Sequence, residues 1–175
     1  TVLEALAGLR AQGLDFRYTL VGEGKTKFNR RIKELVHKLG LEDVTTLPGT
    51  ITHDEVIELL NDADCFTLGC REAADGDRDG IPNVVAEAMA TGVPVAATDV
   101  SGVPELVDHE QTGLLCPSND PDALAAIIRR ALTDDELRRT IIPAAVERAH
   151  KLFNNKKLIH DLGEIYKSHG VPCGK

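Results

Sequence analysis

The sequence predicts an α/β protein in which a parallel sheet is covered on both faces by helices. Short apolar runs of strand length alternate with amphipathic stripes of helical spacing over most of the chain. Glycines close those stripes at Gly13, Gly40 and Gly92, where a helix end favours a left-handed residue. Strands separated by helix-length crossovers pair in parallel, and helices then cover both faces of the sheet. The composition is that of a globular domain, with 42% apolar and 27% charged residues. A length of 175 residues suffices for one sizeable core.

Val2, Leu3, Leu6 and Leu9 form the first helical stripe, ended by Gly13. Residues 16–21 read as a strand, and Gly22-Glu23-Gly24 as a tight turn into a helix. That helix turns Phe28, Ile32, Leu35, Val36 and Leu39 inward and stops at Gly40. Residues 44–47 read as a strand closed by Pro48-Gly49. Thr52 and Glu55 have the spacing of a capping box, each able to satisfy a helix-start amide of the other. Val56, Leu59 and Leu60 carry that helix to about Ala63, and residues 65–68 are the next strand. A long charged stretch from Gly69 to Pro82 then breaks the rhythm. It leaves the carboxyl end of a strand, where open α/β sheets bind their ligands.

Beyond it, Pro82 sets the first turn of a helix with Val84, Val85, Ala88 and Met89 on one face, stopping at Gly92. A buried strand at 94–97, a short helix at 103–107 and a short strand at 114–115 follow. Asp120 caps the next helix, with Pro121 first and Leu124, Ile127, Ile128, Ala131 and Leu132 as its stripe. Thr133 and Glu136 have the spacing of a second capping box. A last helix, over about 155–167, turns Leu158, Ile159, Leu162, Ile165 and Tyr166 inward.

The stretch 79–95, DGIPNVVAEAMATGVPV, concentrates the chemistry. A helix starting after Pro82 leaves the amides of Asn83, Val84 and Val85 without intrahelical partners at the positive end of its dipole. Such a helix start suits an anionic group such as a phosphate. Glu87 follows four residues after Asn83 on the same face, and Asp79 lies in the loop just before the helix. Two carboxylates thus flank one phosphate site, and carboxylates accept hydrogen bonds from sugar hydroxyls. The backbone of Gly22-Glu23-Gly24 can approach a ligand closely, or form a plain turn.

Other readings of these loops fit less well. Gly24-Lys25-Thr26 ends like a P-loop, but Thr19 stands where the first glycine belongs. Lys27 and Phe28 break a dinucleotide fingerprint. Asp75, Asp77, Asp79 and Gly80 open like a calcium loop whose twelfth position is Ala86 rather than a glutamate. The six histidines show no metal-ligand spacing and read as surface residues. Glu105 reads as ordering its glycine-rich turn.

The segments GIPNVVAEAMATGVPV, TDVSGVPELV (98–107) and TGLLCP (112–117) occur in the order found in one family. They closely resemble the C-terminal half of group 1 glycosyltransferases, retaining enzymes of the GT-B fold, and the resemblance spans nearly all of the chain. It implies a Rossmann-like parallel sheet flanked by helices, the donor-binding half of a GT-B fold, with extra C-terminal helices. It implies that residues 1–153 bind a nucleotide sugar, with a first strand and an N-terminal domain upstream. Residues 154–175 are then a helix packing back toward that domain.

In the resemblance, Glu87 holds the ribose hydroxyls. Asp79 stands where the family has a glutamate, one methylene longer, and orients the transferred sugar. Gly80, Ile81, Pro82, Asn83 and Val84 supply contacts to sugar and diphosphate, and Gly22, Glu23 and Gly24 sit beside the nucleotide. Thr50 and Ile51 belong to the segment whose backbone reads the base. The implied reaction moves a hexose from a UDP- or GDP-linked sugar to an acceptor hydroxyl, with no cofactor and no metal. The acceptor, a glycan or lipid-linked sugar, sits on the N-terminal domain, so the 175 residues alone bind donor weakly and do not turn it over. The loop from Arg71 to Asp79 resembles that of exopolysaccharide-assembly members. Asp79 in place of glutamate leaves a second reading open, a non-catalytic sugar-nucleotide-binding or interaction module.

A net charge of −8 argues against a general nucleic-acid binder. The charge is uneven: residues 1–120 hold 21 acids and 10 bases, residues 121–175 hold 7 acids and 10 bases. The basic tail reads as solvated helix surface or, more sharply, as a face that meets another domain or anionic lipid, the latter at the inner side of a membrane. Cys65, Cys70, Cys116 and Cys173 lack zinc or redox spacing and read as free thiols in the cytoplasm. No apolar run is long enough to span a membrane.

Overall fold

The structure is a computed structural model that describes residues 1–71, 80–153 and 155–168, the side chains of 155–158 and 161 excepted. Asp75, Asp77, Asp79 and Cys173 lie outside the described residues. In chain order the elements are α1 (Val2–Ala11), β1 (Tyr18–Val21), α2 (Thr26–Lys38), β2 (Thr45–Gly49), α3 (His53–Asp62) and β3 (Phe66–Leu68). They continue as α4 (Asn83–Ala90), β4 (Val95–Thr98), α5 (Val103–Leu106), β5 (Leu114–Cys116), α6 (Pro121–Thr133), α7 (Asp135–Leu152) and α8 (Asn155–Ser168).

All named pairings are parallel, but the hydrogen bonding divides into two sheets, β1-β2 and β3-β4-β5. The sequence reading expects one. The central strand β4 is buried along its whole length and sorts its side chains by alternation. Ala96 packs with Leu114 and Cys116 of β5 into a core shared with α1 and α6. Val95 and Ala97 face the opposite core, with Val85, Ala88 and Met89 of α4 and Ala145 and Ala149 of α7. A strand covered on both faces has no polar side to spare, so its sequence, VAAT, is apolar with one threonine. Small residues there let helices approach from both sides.

Several local expectations are corrected. The second cap is Asp134, whose carboxylate accepts from the Leu137 amide, while Thr133 closes α6 by donating to the Arg129 carbonyl. A threonine inside the last helical turn has a carbonyl within reach, so it does not cap. Phe28 is 56% exposed rather than inward, and Leu59 is also exposed. Of the α8 stripe, Ile159, Leu162, Ile165 and Tyr166 are exposed too, Ile159 at 71% and Tyr166 at 46%. Amphipathic spacing fixes which residues share a face, not whether that face finds a partner.

Arg10 of α1 ties down the loop ahead of β2. Its guanidinium donates to both Asp43 carboxylate oxygens, at 2.6 and 2.9 Å, and to the Gly40 carbonyl at 2.9 Å. This fork holds the Asp43 carboxyl below its ordinary range. A carboxylate whose folded value is depressed stabilises the fold at neutral pH and loses that contribution as pH falls through the folded value. Asp43→Asn is therefore expected to lower the Tm slightly at pH 7 and to flatten the acid limb of the stability curve below about pH 4. Melting curves across pH 2–7 check this.

Candidate functional site

Among the described residues no side chain caps the start of α4. Its cap is Pro82 (φ −71, ψ 112) with no side-chain cap, so the proline stands just outside the helix rather than in its first turn. Gly80, Ile81 and Asn83 are exposed. The Val85 amide donates to the Pro82 carbonyl at 3.0 Å, so it is not one of the free donors the sequence suggests. Among the described residues no group accepts from the Asn83 or Val84 amides. The helix beneath is rigidly seated, with Val85, Ala86, Ala88 and Met89 buried. Two amides with no described acceptor thus stand on a fixed base, at the positive end of a helix dipole.

Glu87 lies one turn along, with its side chain 29% exposed. Its Oε1 is 3.9 Å from Nδ1 of His53, the first residue of α3. That contact brings together two stretches remote in sequence: the start of α4 and the β2–α3 connection carrying Thr50 and Ile51. The connection is itself well fixed. Thr52 and Glu55 form the expected capping box, Glu55 N–H to Thr52 Oγ1 at 3.3 Å and Thr52 N–H to Glu55 Oε2 at 2.7 Å. The Thr52 amide and hydroxyl, both donating to Glu55 Oε2, hold the Glu55 carboxyl below its usual range.

Further back, the Gly22 amide donates to the Gly49 carbonyl at 2.8 Å, so the glycine turn after β1 abuts the end of β2. Gly22 (φ 110) and Gly49 (φ 81) occupy backbone that side chains resist. A β-carbon on Gly49 would also lie 2.9 Å from the Glu23 carboxylate. The Gly24 amide donates to the Asn29 side chain at 2.9 Å. Gly22, Glu23, Asn29, Lys33, Pro48 and Gly49 line a small cavity of about 120 Å³.

The predicted residues thus follow the carboxyl ends of β1 and β2 and the start of α4. Gly22 to Gly24 join Pro48-Gly49, and the β2–α3 connection leads to Glu87. The calcium reading and the Asp79 role fall outside the described residues. An open hollow of about 460 Å³ on α7, lined by Asp135, Arg138, Arg139, Ile142 and Pro143, includes none of them.

Three residues escaped the sequence reading. His53 is exposed, as expected of the histidines, yet meets Glu87. Thr98 is fully buried and its hydroxyl donates to the Cys70 carbonyl at 2.7 Å. Gly102 lies so close to Ile81 that a β-carbon would come within 2.9 Å of its backbone. The Ser101-Gly102 pair carried a signal for the last; nothing local signalled the other two. Burial pushes the Cys65 thiol up to about 12 and the Cys116 thiol up to about 11, so neither is a nucleophile at neutral pH. Among the described residues Cys65 and Cys116 are free thiols, and no helix is long and apolar enough to cross a membrane.

Known proteins resemble the chain over most of its length. A relative named as a colanic acid biosynthesis glycosyltransferase, WcaL of Salmonella typhimurium, is 38% identical over 167 residues, 95% of this chain and 41% of its own. Sucrose-phosphate synthase of Thermosynechococcus elongatus superposes with a TM-score of 0.80 at 31% identity, covering 95% of this chain and 42% of that one. HepE of Anabaena in complex with UDP superposes at 0.78 with 25% identity, covering 93% and 44%. The chain therefore spans about two fifths of the length of these proteins. The family described as Glycosyl transferases group 1 matches residues 1–148, and the chain belongs to that family.

Proposed function

We propose that the chain is the donor-binding domain of a retaining hexosyltransferase of exopolysaccharide assembly, taking a UDP- or GDP-linked sugar. The single observation that carries the reading is the uncapped start of α4, where no described group accepts from the Asn83 and Val84 amides, with Glu87 one turn away beside the β2–α3 connection. In this reading the amides take the diphosphate and stabilise the charge that grows on it as the glycosidic bond breaks. Glu87 accepts from the ribose hydroxyls, Thr50 and Ile51 lie along the base, and Gly22 to Gly24 flank the nucleotide. Asp79 orients the sugar. Gly80, Ile81 and Pro82 shape the approach to the diphosphate. The UDP held by HepE supports a nucleoside diphosphate as the ligand class.

The acceptor, a glycan or lipid-linked sugar, would come from a separate N-terminal domain against which the exposed Ile159, Leu162, Ile165 and Tyr166 of α8 pack. A strand ahead of α1 would complete the sheet, and transfer would require the whole protein. The basic tail would give a peripheral contact with the cytoplasmic membrane face. The test is a thermal-shift panel of UDP-, GDP- and ADP-sugars on the full-length protein. A ligand at 100 times its Kd adds about 2.7 kcal/mol to the folded state, so one UDP or GDP series should raise the Tm by several degrees. A flat panel overturns the reading.

A further inference from the structure

We infer that the β4–α5 turn, residues 98–102, is the positioning element of the donor site, an inference that rests on the donor reading above. Thr98 fixes the chain where it leaves β3, at Cys70, and Gly102 fixes it where it arrives at Ile81, two residues ahead of α4.

Thr98 ends β4 and is 0% exposed, one of the few buried polar residues among those described. A buried hydroxyl is tolerated where it is hydrogen-bonded. The Thr98 hydroxyl donates to the Cys70 carbonyl at 2.7 Å, 28 residues away in sequence, so the bond spans the crossover rather than its own strand. At Gly102, a β-carbon would meet Ile81 Cγ1 at 2.7 Å, Ile81 Cα at 2.8 Å and Ile81 N at 2.9 Å. Two of these are backbone atoms that cannot rotate away. Any side chain at 102 must therefore push the Ile81 backbone, and with it the Pro82 cap that aims the Asn83 and Val84 amides.

The turn is stiff enough to act as a reference. The Asp99 amide donates to the Cys116 carbonyl of β5 at 2.8 Å, and the Val100 amide to the Thr98 carbonyl at 2.9 Å. Ser101 is held at φ 59, a left-handed conformation that persists only where the surroundings impose it. Arg148 of α7 then lashes the following segment by an ion pair to Asp108 at 2.7 Å and a hydrogen bond to the Glu105 carbonyl at 3.0 Å. Thr98 and Gly102 are thus positioning residues that act through Cys70 and Ile81.

The test uses the full-length protein with Thr98→Val, Thr98→Ser and Gly102→Ala, and the nucleotide sugar that gives the largest shift in the panel above. Calorimetric titration gives its Kd, and release of nucleoside diphosphate gives the rate. Misplacement near 1 Å costs up to about 10²-fold in rate, so Gly102→Ala should lose about 10²-fold and Thr98→Val about 10-fold in rate or affinity. Thr98→Ser, which keeps the hydroxyl, should stay within about 2-fold. Leu114→Ala serves as a control destabilised in the core shared with α1 and α6. The inference is overturned if Thr98→Val and Gly102→Ala lose no more than Leu114→Ala at temperatures where all are folded, or if Thr98→Ser loses as much as Thr98→Val. Should Gly102→Ala fail to fold, the Thr98 pair decides. A wild type that binds no nucleotide sugar overturns the donor reading, and this with it.

Discussion

Glu87→Ala in the full-length protein is expected to weaken nucleotide-sugar binding by about 10²-fold while leaving the Tm within a few degrees. A carboxylate accepting two hydroxyl hydrogen bonds is worth about 1.5–3 kcal/mol per charge-assisted bond, and each 1.4 kcal/mol is a factor of ten. Against that, Glu87 contributes little to the fold. Its side chain is 29% exposed, and the neighbouring His53 is 68% exposed, which places their 3.9 Å contact among weak surface pairs. Alanine is also a strong helix former in the middle of α4. Glu87→Gln keeps one acceptor oxygen and should fall between. Calorimetric titration with the panel's best ligand, beside a melting curve, reads both quantities. Unchanged affinity in Glu87→Ala would remove Glu87 from the site.

Leu114→Ala is expected to have the largest effect on stability, about 3 kcal/mol, within the range for buried leucines. Leu114 is 0% exposed at the start of β5, where it pairs with Ala96 of β4. It sits in the core that joins α1 to α6, among Leu6, Leu9, Leu124 and Ile128. These elements are remote in sequence, and deleting the side chain between them leaves a cavity in the core they share. For a protein of this size the Tm should fall by about 6–12 °C. Ile159→Ala, on the exposed stripe of α8, removes a similar volume and should shift the Tm by little unless a partner domain covers it. Thermal melts of the two variants side by side separate core from surface. Equal shifts would contradict the assignment of the core.

Most of the fold was legible because its signals are local. Gly13, Gly40 and Gly92 all adopt positive φ where the helices end, as their spacing suggests. The Thr52–Glu55 box and the Asp120 cap followed by Pro121 also stand where the sequence places them. Each is a short-range rule with a short-range cause. What failed depends on distance. The spacing of Thr133 and Glu136 fits a capping box, whereas the adjacent Asp134 offers a charged carboxylate, the stronger acceptor, and takes the role. The division into two sheets, the exposure of α8 and the meeting of His53 with Glu87 are tertiary facts without a local pattern.

The site divides in the same way. The uncapped start of α4 and the position of Glu87 follow from Pro82 and helical spacing, and the structure keeps both. The Val85 amide, by contrast, turned inward to Pro82, because the first turn tightened with an i to i−3 bond. Gly102 was visible as a glycine, but its reason, the backbone of Ile81 against its α-carbon, needs the folded chain.

The most direct measurement is a crystal structure of the full-length protein with the nucleotide sugar chosen by the thermal-shift panel. Diphosphate oxygens within hydrogen-bond distance of the Asn83 and Val84 amides, with the Glu87 carboxylate on the ribose hydroxyls, are the predicted result. A nucleotide bound elsewhere, with the tip of α4 touching only solvent, would contradict it.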